Sequence, residues 1–275
     1  MSASVDQDLQ LAILAARQAG AVVMRTFRTE QRVTHKSPDQ PLTDADLAAD
    51  ATLKQMLLSN RPDYGWLSEE TADKPDRLRK RLVWIVDPID GTRSYIAGRP
   101  EFAISIGLVE NHRALLGVVY NPATDEMFVA VRGQGARWVN GDALHVRRNS
   151  TTRELVASRS EISGGELEPF VQNFEIVPTG STAYKLAKVA AGAAEAFVSR
   201  GPKSEWDVCA GVLLVEEAGG RATDLRGHDI TYNQPRTEVF GILATNSVLH
   251  SALIDQIASL PVPERLSSWT EHHER

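Results

Sequence analysis

Five short segments rich in β-branched and aliphatic residues lie between residues 83 and 141, and they constrain the fold more than any other feature of the chain. The first is the apolar run Val83–Val86, and the later ones read FAISIGLVE, ALLGVVYNP, EMFVAV and ARWVNG. Turn signals such as ENH, NPATD and GQG separate them. Short strands joined by such turns are typical of an antiparallel meander, so the sequence predicts one in this part of the chain.

Helical patterns flank this region. Apolar residues recur at helical spacing over about residues 6–28, and a second helix is predicted to begin after Thr43. The stretches THKSPDQP and RPDYGW are predicted to be a polar loop and a turn. After residue 150, short strands alternate with helices, which is typical of α/β folds. We therefore predict an α/β protein with an α+β lobe over 1–150 and an α/β lobe over 151–275, joined in one compact unit.

Composition and charge exclude several classes of function. Of the 275 residues, 42 % are hydrophobic and 24 % charged, and a net charge of −6 is spread evenly, which argues against nucleic-acid polymers and membrane surfaces as partners. The single cysteine, Cys209, excludes an intrachain disulfide. The acidic N-terminus does not resemble a signal peptide, and no apolar run spans a membrane, so a cytoplasmic location is expected. The polar tail after residue 263 carries no prediction of structure.

The stretch VDPIDGT offers several groups that favour a metal ion. Asp87 ends a predicted buried strand, Pro88 stiffens the exit, and the Ile89 carbonyl is free to point sideways. Asp90 is followed by Gly91-Thr92, a turn or helix start whose N–H groups suit an anion such as phosphate. Carboxylate and carbonyl oxygens suit Mg²⁺ or Mn²⁺. The alternative is an ordinary strand that ends in an Asp-capped turn. A D-x-D-G-T aspartyl-phosphate motif does not fit, because two residues separate the aspartates here.

Further acids fit either a structural or a metal-binding interpretation. Glu69 and Glu70 could be a solvated pair, and Asp207 could cap the helix that follows Ser204. Asp46 stands three residues after Thr43, in the position of a capping-box acid. If Glu69, Asp87, Asp90 and Asp207 meet, each like-charge contact costs about 4 kcal/mol at ~4 Å and an effective dielectric of about 20. Such a cluster therefore indicates divalent cations.

Taken together, these segments resemble the inositol monophosphatase superfamily of lithium-sensitive, magnesium-dependent phosphatases. The resemblance covers about residues 6–258 and rests on the segments PLTDADLAAD, LSEE, VDPIDGT, GSTAYKLAKVAAGAAEAF and EWDVCAGVLLVEEAGG. It implies a layered α/β/α/β/α sandwich and hydrolysis of a small phosphorylated substrate by a metal-activated water. A non-catalytic metal- or phosphate-binding protein is the remote alternative, since a fold can outlast its activity. Homodimers occur among the relatives.

The resemblance also implies roles for individual residues. One Mg²⁺ would be held by Glu69, Asp87 and the Ile89 carbonyl, a second by Asp87, Asp90 and Asp207, and Glu70 would lie near a third. Thr92 would position the water with Asp46 behind it. The phosphate and the rest of the substrate would contact Gly91, Thr92, Gly180, Ser181 and Thr182.

The substrate is predicted from charge. Arg200 stands where inositol monophosphatases usually carry a glutamate that binds a sugar hydroxyl, and Lys185 and Lys203 lie in neighbouring motifs. The segments RGPKSEWD and SPDQPLTDAD look closer to bacterial 3'(2'),5'-bisphosphate nucleotidases. An arginine fork suits the distal phosphate of adenosine 3',5'-bisphosphate. Inositol 1-phosphate, or another sugar phosphate or histidinol phosphate, is the alternative, and the bases could also merely balance an acidic rim.

Overall fold

The computed structural model describes residues 2–37, 40–148 and 153–261. The helices are α1 (Ser2–Met24), α2 (Asp44–Asn60), α3 (Thr92–Ile96), α4 (Arg159–Ser163), α5 (Thr182–Ala190), α6 (Glu205–Glu217) and α7 (His250–Ala258). The strands of the first half are β1 (Val33–Ser37), β2 (Gln40–Thr43), β3 (Gly65–Ser68), β4 (Leu82–Asp90), β5 (Ala103–Glu110), β6 (Arg113–Asn121), β7 (Glu126–Val131) and β8 (Ala136–Trp138). The second half contains β9 (Glu154–Ala157), β10 (Glu175–Pro178), β11 (Ala196–Ser199), β12 (Lys203–Ser204), β13 (Arg221–Thr223), β14 (Glu238–Val239) and β15 (Ile242–Thr245).

The first large sheet is built around the predicted meander. Its strand order is β3-β4-β5-β6-β7-β8, and β4 to β8 pair antiparallel with their neighbours. The meander prediction is therefore confirmed. Strand β4 continues past Pro88 to Asp90, and its register with β5 shifts between Asp87 and Asp90. Side chains three apart on a regular strand point to opposite faces, so this irregularity is what allows both acids to serve one site.

Helices and sheets stack in five layers. Helices α1 and α2 pack on one face of the first sheet, and α5 and α6 pack on its other face. The second sheet, with strand order β10-β9-β11-β15-β13, contacts α5 and α6 from the far side. Helix α7 lies outside that sheet, with Leu253 and Ile257 in the outer core. The predicted α/β/α/β/α sandwich is confirmed.

The middle layer joins the two halves of the chain. One buried cluster unites apolar residues of the first sheet, such as Ile85 and Phe128, with Leu186 of α5 and Leu213 of α6. Where Gly117 lies on β6, an added Cβ would stand 2.8 Å from the Ala210 carbonyl oxygen, so the helix and the sheet are in close contact. The division into lobes at residue 150 stays a prediction.

Two predicted loops and the bounds of one helix differ from the sequence prediction. The polar loop THKSPDQP contains parts of the hairpin β1–β2, with Val33 opposite Thr43 and Ser37 opposite Gln40. Its side chains are mostly exposed, so no apolar alternation marked it as strand. The end of RPDYGW opens strand β3, which pairs parallel with β4. Helix α1 spans Ser2–Met24, which is displaced by a few residues from the predicted 6–28.

Membrane crossing receives no support from the described helices, none of which is both long and apolar enough to span a bilayer. The predicted caps of two helices are present. Thr43 and Asp46 form a capping box at α2, and Ser204 is the N-cap of α6. The tail after residue 263 lies outside the described residues.

Candidate active site

Three carboxylates converge where β4 ends beside the start of α6. Asp87, Asp90 and Asp207 each contribute an oxygen atom, and these atoms lie within 4.8 Å of one another. Asp87 and Asp90 are buried, and Asp207 is partly exposed in the first turn of α6. The structure thus brings together acids that are more than a hundred residues apart in sequence. Oxygen donors grouped in this way can hold a hard divalent cation.

The electrostatics of this cluster also fit a cation. Burial, followed by the charges of Glu69, Asp90 and Asp207, raises the pKa of Asp87 well above its ordinary value. Burial and the charges of Asp90 and Glu69 raise the pKa of Asp207 to about 7. Carboxyl groups with raised pKa values hold protons unless positive charge replaces them. The donor set therefore fits a metal.

Asp90 is fixed by the other half of the chain. Its Oδ2 accepts hydrogen bonds from the Ser181 hydroxyl at 2.7 Å and from the Ala183 amide at 2.5 Å. Burial raises the pKa of Asp90, and these two bonds oppose the shift. The Ser181 oxygen also accepts the Tyr184 amide at 2.9 Å as N-cap of α5. The start of α5 is thereby fastened to the end of β4.

Glu69 and Glu70 lie at the edge of the cluster, directly after β3. The ammonium group of Lys36 contacts Glu69 at 2.6 Å and Glu70 at 2.9 Å. Burial and the neighbouring Glu69 raise the pKa of Glu70 to about 7. Glu69 is not one of the three acids that share the 4.8 Å cluster, but its charge acts on Asp87 and Asp207. The β1–β2 hairpin therefore places the Lys36 ammonium group beside Glu69, which the resemblance implied to be a metal ligand.

Thr92 and Asp46 are in contact, as the resemblance implied. The Thr92 hydroxyl lies 3.2 Å from Asp46 Oδ1 and 3.1 Å from the Ile89 carbonyl oxygen. The other oxygen of Asp46 accepts the Thr43 amide at 2.8 Å and the Thr43 hydroxyl at 2.6 Å. Burial raises the pKa of Asp46, and the Thr43 hydrogen bonds oppose this shift. The Asp46 carboxylate therefore contacts both the N-cap residue of α2 and Thr92 of the candidate site.

Gly91 and Gly180 allow the backbone to turn closely around the site. Gly91 has φ +95°, a left-handed conformation that side chains rarely adopt, and is the N-cap of the short α3. A Cβ on Gly180 would stand 2.5 Å from the Glu101 carbonyl oxygen. The Gly180 amide donates to the Glu101 carboxylate at 2.9 Å. Glu101, which sequence reasoning missed, thus holds the turn before α5.

A cavity of about 370 Å³ adjoins the cluster. Its walls include Glu69, Asp90, Gly91, Thr92, Gly180, Ser181, Thr182, Lys185 and Lys203, all named from the sequence. The sequence analysis missed further residues of the cavity wall, namely Arg93, Arg99, Ser158, Arg159 and Ser160. Ser158–Ser160 directly follow β9, whose pairings with β10 and β11 are parallel, and the carboxyl edge of parallel strands is where ligand sites form. The position of these residues after β9 was the sequence signal that could have marked them as part of the site.

Arg200 does not line this cavity, although the sequence assigned it to the substrate. Its guanidinium donates to the Pro261 carbonyl oxygen, and its backbone amide lies 3.2 Å from Glu161 Oε1. Lys185 does line it, is 2 % exposed, and donates one long hydrogen bond of 3.4 Å to the Thr179 carbonyl. Burial lowers the pKa of Lys185 to about 8. Cationic groups are thus present, but Arg200 is not positioned among them.

Comparison with known proteins identifies the lineage. A model of the inositol monophosphatase family matches residues 4–261. The chain belongs to this family. An inositol-1-monophosphatase of Caulobacter vibrioides is 35 % identical over 260 residues, which cover 89 % of this chain and 98 % of the relative.

Solved structures of family members support this assignment. A Thermotoga maritima IMPase superposes with a TM-score of 0.80 at 29 % identity, covering 91 % of this chain and 96 % of that one. CysQ of Bacteroides thetaiotaomicron, a bacterial member of the family, gives 0.73 at 26 %, covering 88 % and 97 %. Members of the inositol monophosphatase family are metal-dependent phosphatases that act on small phosphorylated substrates. The chain is therefore an enzyme of the hydrolase class, as its motifs predicted.

Proposed function

We propose that this enzyme is a Mg²⁺-dependent phosphomonoesterase that binds two or three metal ions. The observation that carries the proposal is the convergence of Asp87, Asp90 and Asp207 beside a cavity with cationic walls. Oxygen ligands favour Mg²⁺, and Mn²⁺ is the other ion that suits them. We assign Glu69, Asp87 and the Ile89 carbonyl to one ion, and Asp87, Asp90 and Asp207 to the second. Glu70 would lie near the third.

The residues around the ions would do the positioning. Bound divalent ions supply Lewis-acid stabilisation of phosphoryl charge and a more acidic water. An O–H of Thr92 that donates to Asp46 leaves the Oγ1 lone pairs to accept a hydrogen bond from the attacking water and so orient it. The amides of Gly91 and Thr92 and the turn Gly180–Thr182 would hold the phosphate. Phosphoryl transfer asks mainly for such positioning and charge neutralisation, so no protein nucleophile is required.

For the substrate we propose 3'-dephosphorylation of adenosine 3',5'-bisphosphate or its sulfated form. The support is the charge of the cavity wall, where Lys185, Lys203 and three arginines lie. Part of that charge is already compensated, because Arg159 pairs with Glu101 and because Glu161 is a close anion for both lysines. Lys185 and Lys203 line the cavity whereas Arg200 does not, so a distal phosphate would depend on these two lysines despite the nearby Glu161.

Inositol 1-phosphate is the second candidate. The name of the Caulobacter vibrioides relative, an inositol-1-monophosphatase, favours it. A compact polyol phosphate has no second anion, so it would not need the Lys203 side of the cavity. The two candidates therefore respond differently when that charge is removed.

The metal assignment is tested by Asp87→Asn and Asp207→Asn. Both variants should lose turnover and bind Mg²⁺ more weakly in isothermal titration, because each removes a ligand charge from the cluster. Asp63→Asn, on an exposed turn, is the matched control and should behave like the parent. Parent-like hydrolysis by either cluster variant would disprove the assignment.

The substrate is tested by kcat/KM on adenosine 3',5'-bisphosphate, inositol 1-phosphate, fructose 1,6-bisphosphate and histidinol phosphate. Lys203→Gln should raise KM for the bisphosphate about tenfold, the loss of roughly one charged hydrogen bond, and leave KM for inositol 1-phosphate within a factor of two. A clear preference of the parent enzyme for inositol 1-phosphate, or an unchanged bisphosphate KM in the variant, refutes the nucleotide proposal.

Lithium inhibition and a cytoplasmic location complete the proposal. The first rests on the family resemblance alone, and activity that ignores millimolar lithium would contradict it. Light scattering on the purified chain distinguishes a dimer from a monomer.

A further inference from the structure

Helix α2 presents two buried acids, one turn apart, to two different parts of the site. Asp46 reaches Thr92, as described above. Asp50 stands four residues later, on the same face of the helix, and is 8 % exposed. Sequence reasoning gave Asp50 no role, and the assignments above do not use it.

Both carboxylate oxygens of Asp50 are engaged by hydroxyl groups. Oδ1 accepts from the Ser68 hydroxyl, and Oδ2 accepts from the Thr71 hydroxyl at 2.6 Å. Ser68 and Thr71 immediately flank Glu69 and Glu70. The Glu70 amide also lies 3.4 Å from the Ser68 oxygen. One buried carboxylate therefore spans the four-residue segment that contains the two glutamates.

This segment needs such an anchor because electrostatic repulsion acts on it. Glu69 faces the charges of Asp87, Asp207 and Asp46, and no regular secondary structure holds the chain after Ser68. The Glu69 amide donates to the Val86 carbonyl oxygen at 3.3 Å, and Lys36 contacts both glutamate side chains, but neither interaction holds the Thr71 end of the segment. The Asp50 bonds fix both ends of the segment without contacting Glu69 or Glu70 themselves.

We propose that Asp50 is a positioning residue that sets the metal affinity of the Glu69–Glu70 side of the site through Ser68 and Thr71. The inference rests on the proposed function, because it needs Glu69 to be a metal ligand. Groups that orient metal ligands typically change metal affinity by about 10–100-fold when they are removed. The expected signature is a large loss of metal affinity with a small loss of kcat at saturating metal.

The test compares Asp50→Ala, Asp50→Asn and Thr71→Val with the parent enzyme. Mg²⁺ binding is measured by isothermal titration, and the Mg²⁺ dependence of kcat is measured separately. Asp50→Ala should weaken the Glu69-side ion about 10–100-fold, and Thr71→Val, which removes one of the two bonds, should weaken it less. Asn keeps an acceptor for one hydroxyl and can donate to the other, so Asp50→Asn should recover part of the affinity. Thr52→Ala, which removes a half-buried hydroxyl that donates to the Ala48 carbonyl oxygen of the same helix, is the matched control.

Two outcomes separate this inference from the proposed function. If Glu69→Gln leaves Mg²⁺ binding unchanged, Glu69 is not a ligand and the proposed function is wrong in that respect. If Glu69→Gln weakens binding while Asp50→Ala and Thr71→Val bind Mg²⁺ like the parent, the positioning role is disproved. A variant that loses only stability in urea, with metal affinity intact, also overturns it. Should Asp50→Ala fail to fold, Thr71→Val decides, because it is nearly isosteric and partly exposed.

Discussion

Ser181 is the residue whose replacement tests the architecture of the site most directly. Its hydroxyl donates to Asp90 at 2.7 Å, and its oxygen accepts the Tyr184 amide at 2.9 Å as the N-cap of α5. Its backbone has φ +61° and ψ 128°, a conformation that residues with a Cβ rarely adopt. The chain tolerates this strain and thereby places one hydroxyl between the N-terminus of α5 and Asp90. We expect two variants to separate the backbone strain from the two hydrogen bonds of the Ser181 side chain.

The magnitudes follow from these contacts. Ser181→Ala loses a cap worth about 1 kcal/mol and a hydrogen bond to a charged group worth about 1.5–3 kcal/mol, while the backbone strain of about 1–3 kcal/mol remains. Ser181→Gly loses the same bonds, but it removes most of the strain. The free energy of unfolding should therefore fall by about 2.5–4 kcal/mol in the alanine variant and by less in the glycine variant.

Urea unfolding at pH 7.5 in EDTA measures these differences without a metal contribution. Mg²⁺ titration of kcat then reports on the site, where both variants should need more Mg²⁺ because Asp90 has lost one of its hydrogen bonds. Ser163→Ala, which removes an exposed hydroxyl that bonds only within its own turn, is the control. An alanine variant as stable as the parent, or a glycine variant less stable than the alanine one, would refute the reasoning.

Three further expectations concern Gly180, His250 and the pair Thr92 and Asp46. Gly180→Ala should lower kcat/KM about 100-fold in steady-state assays, because its Cβ would stand 2.5 Å from a backbone oxygen and displace the turn that faces the cavity. Burial lowers the pKa of His250 from 6.5 to about 4, so the unfolded chain binds its proton first and stability falls from pH 6.5 towards 4; His250→Gln should make that decline shallower in urea titrations. Thr92→Ala and Asp46→Asn should each lower kcat by about 10²–10⁴-fold while the enzyme stays folded by circular dichroism.

Local patterns were sufficient to predict the layers of the fold. The central strands of the meander, β5 to β7, are six to nine residues long, mostly apolar and bounded by clear turn signals, so sequence and structure agree there. Helix α6 was equally clear, because Ser204 caps an apolar run. These elements carry their own boundary signals and need no partner to be recognised.

Elements that depend on a partner were not predictable in this way. Strand β3 has only four residues, and its assignment rests on parallel pairing with β4. The hairpin β1–β2 is polar and exposed, yet it places Lys36 against Glu69 and Glu70. A four-residue window has too few positions to show a period, and an exposed hairpin has no buried face to mark.

The candidate site also has a part that the sequence could predict and a part that it could not. The carboxylates were predictable because each stands at a strand end or in a first helical turn, where the chain direction alone brings acids to one edge. The substrate side was not, because the direction of a long side chain depends on its neighbours. Arg200 turns to the Pro261 carbonyl, whereas Arg159, which had no motif to mark it, lines the cavity beside Glu101.

The two interpretations of Asp46 turn out to be compatible. Its Oδ2 closes the capping box with Thr43, and its Oδ1 faces the Thr92 hydroxyl. The cap therefore fixes the carboxylate in the orientation that the second contact requires, since one planar group cannot rotate without breaking both. The helix cap and the contact with Thr92 both require an aspartate at position 46. The spacing of this segment therefore could not distinguish the two interpretations. The beginning of α2 is therefore part of the candidate active site.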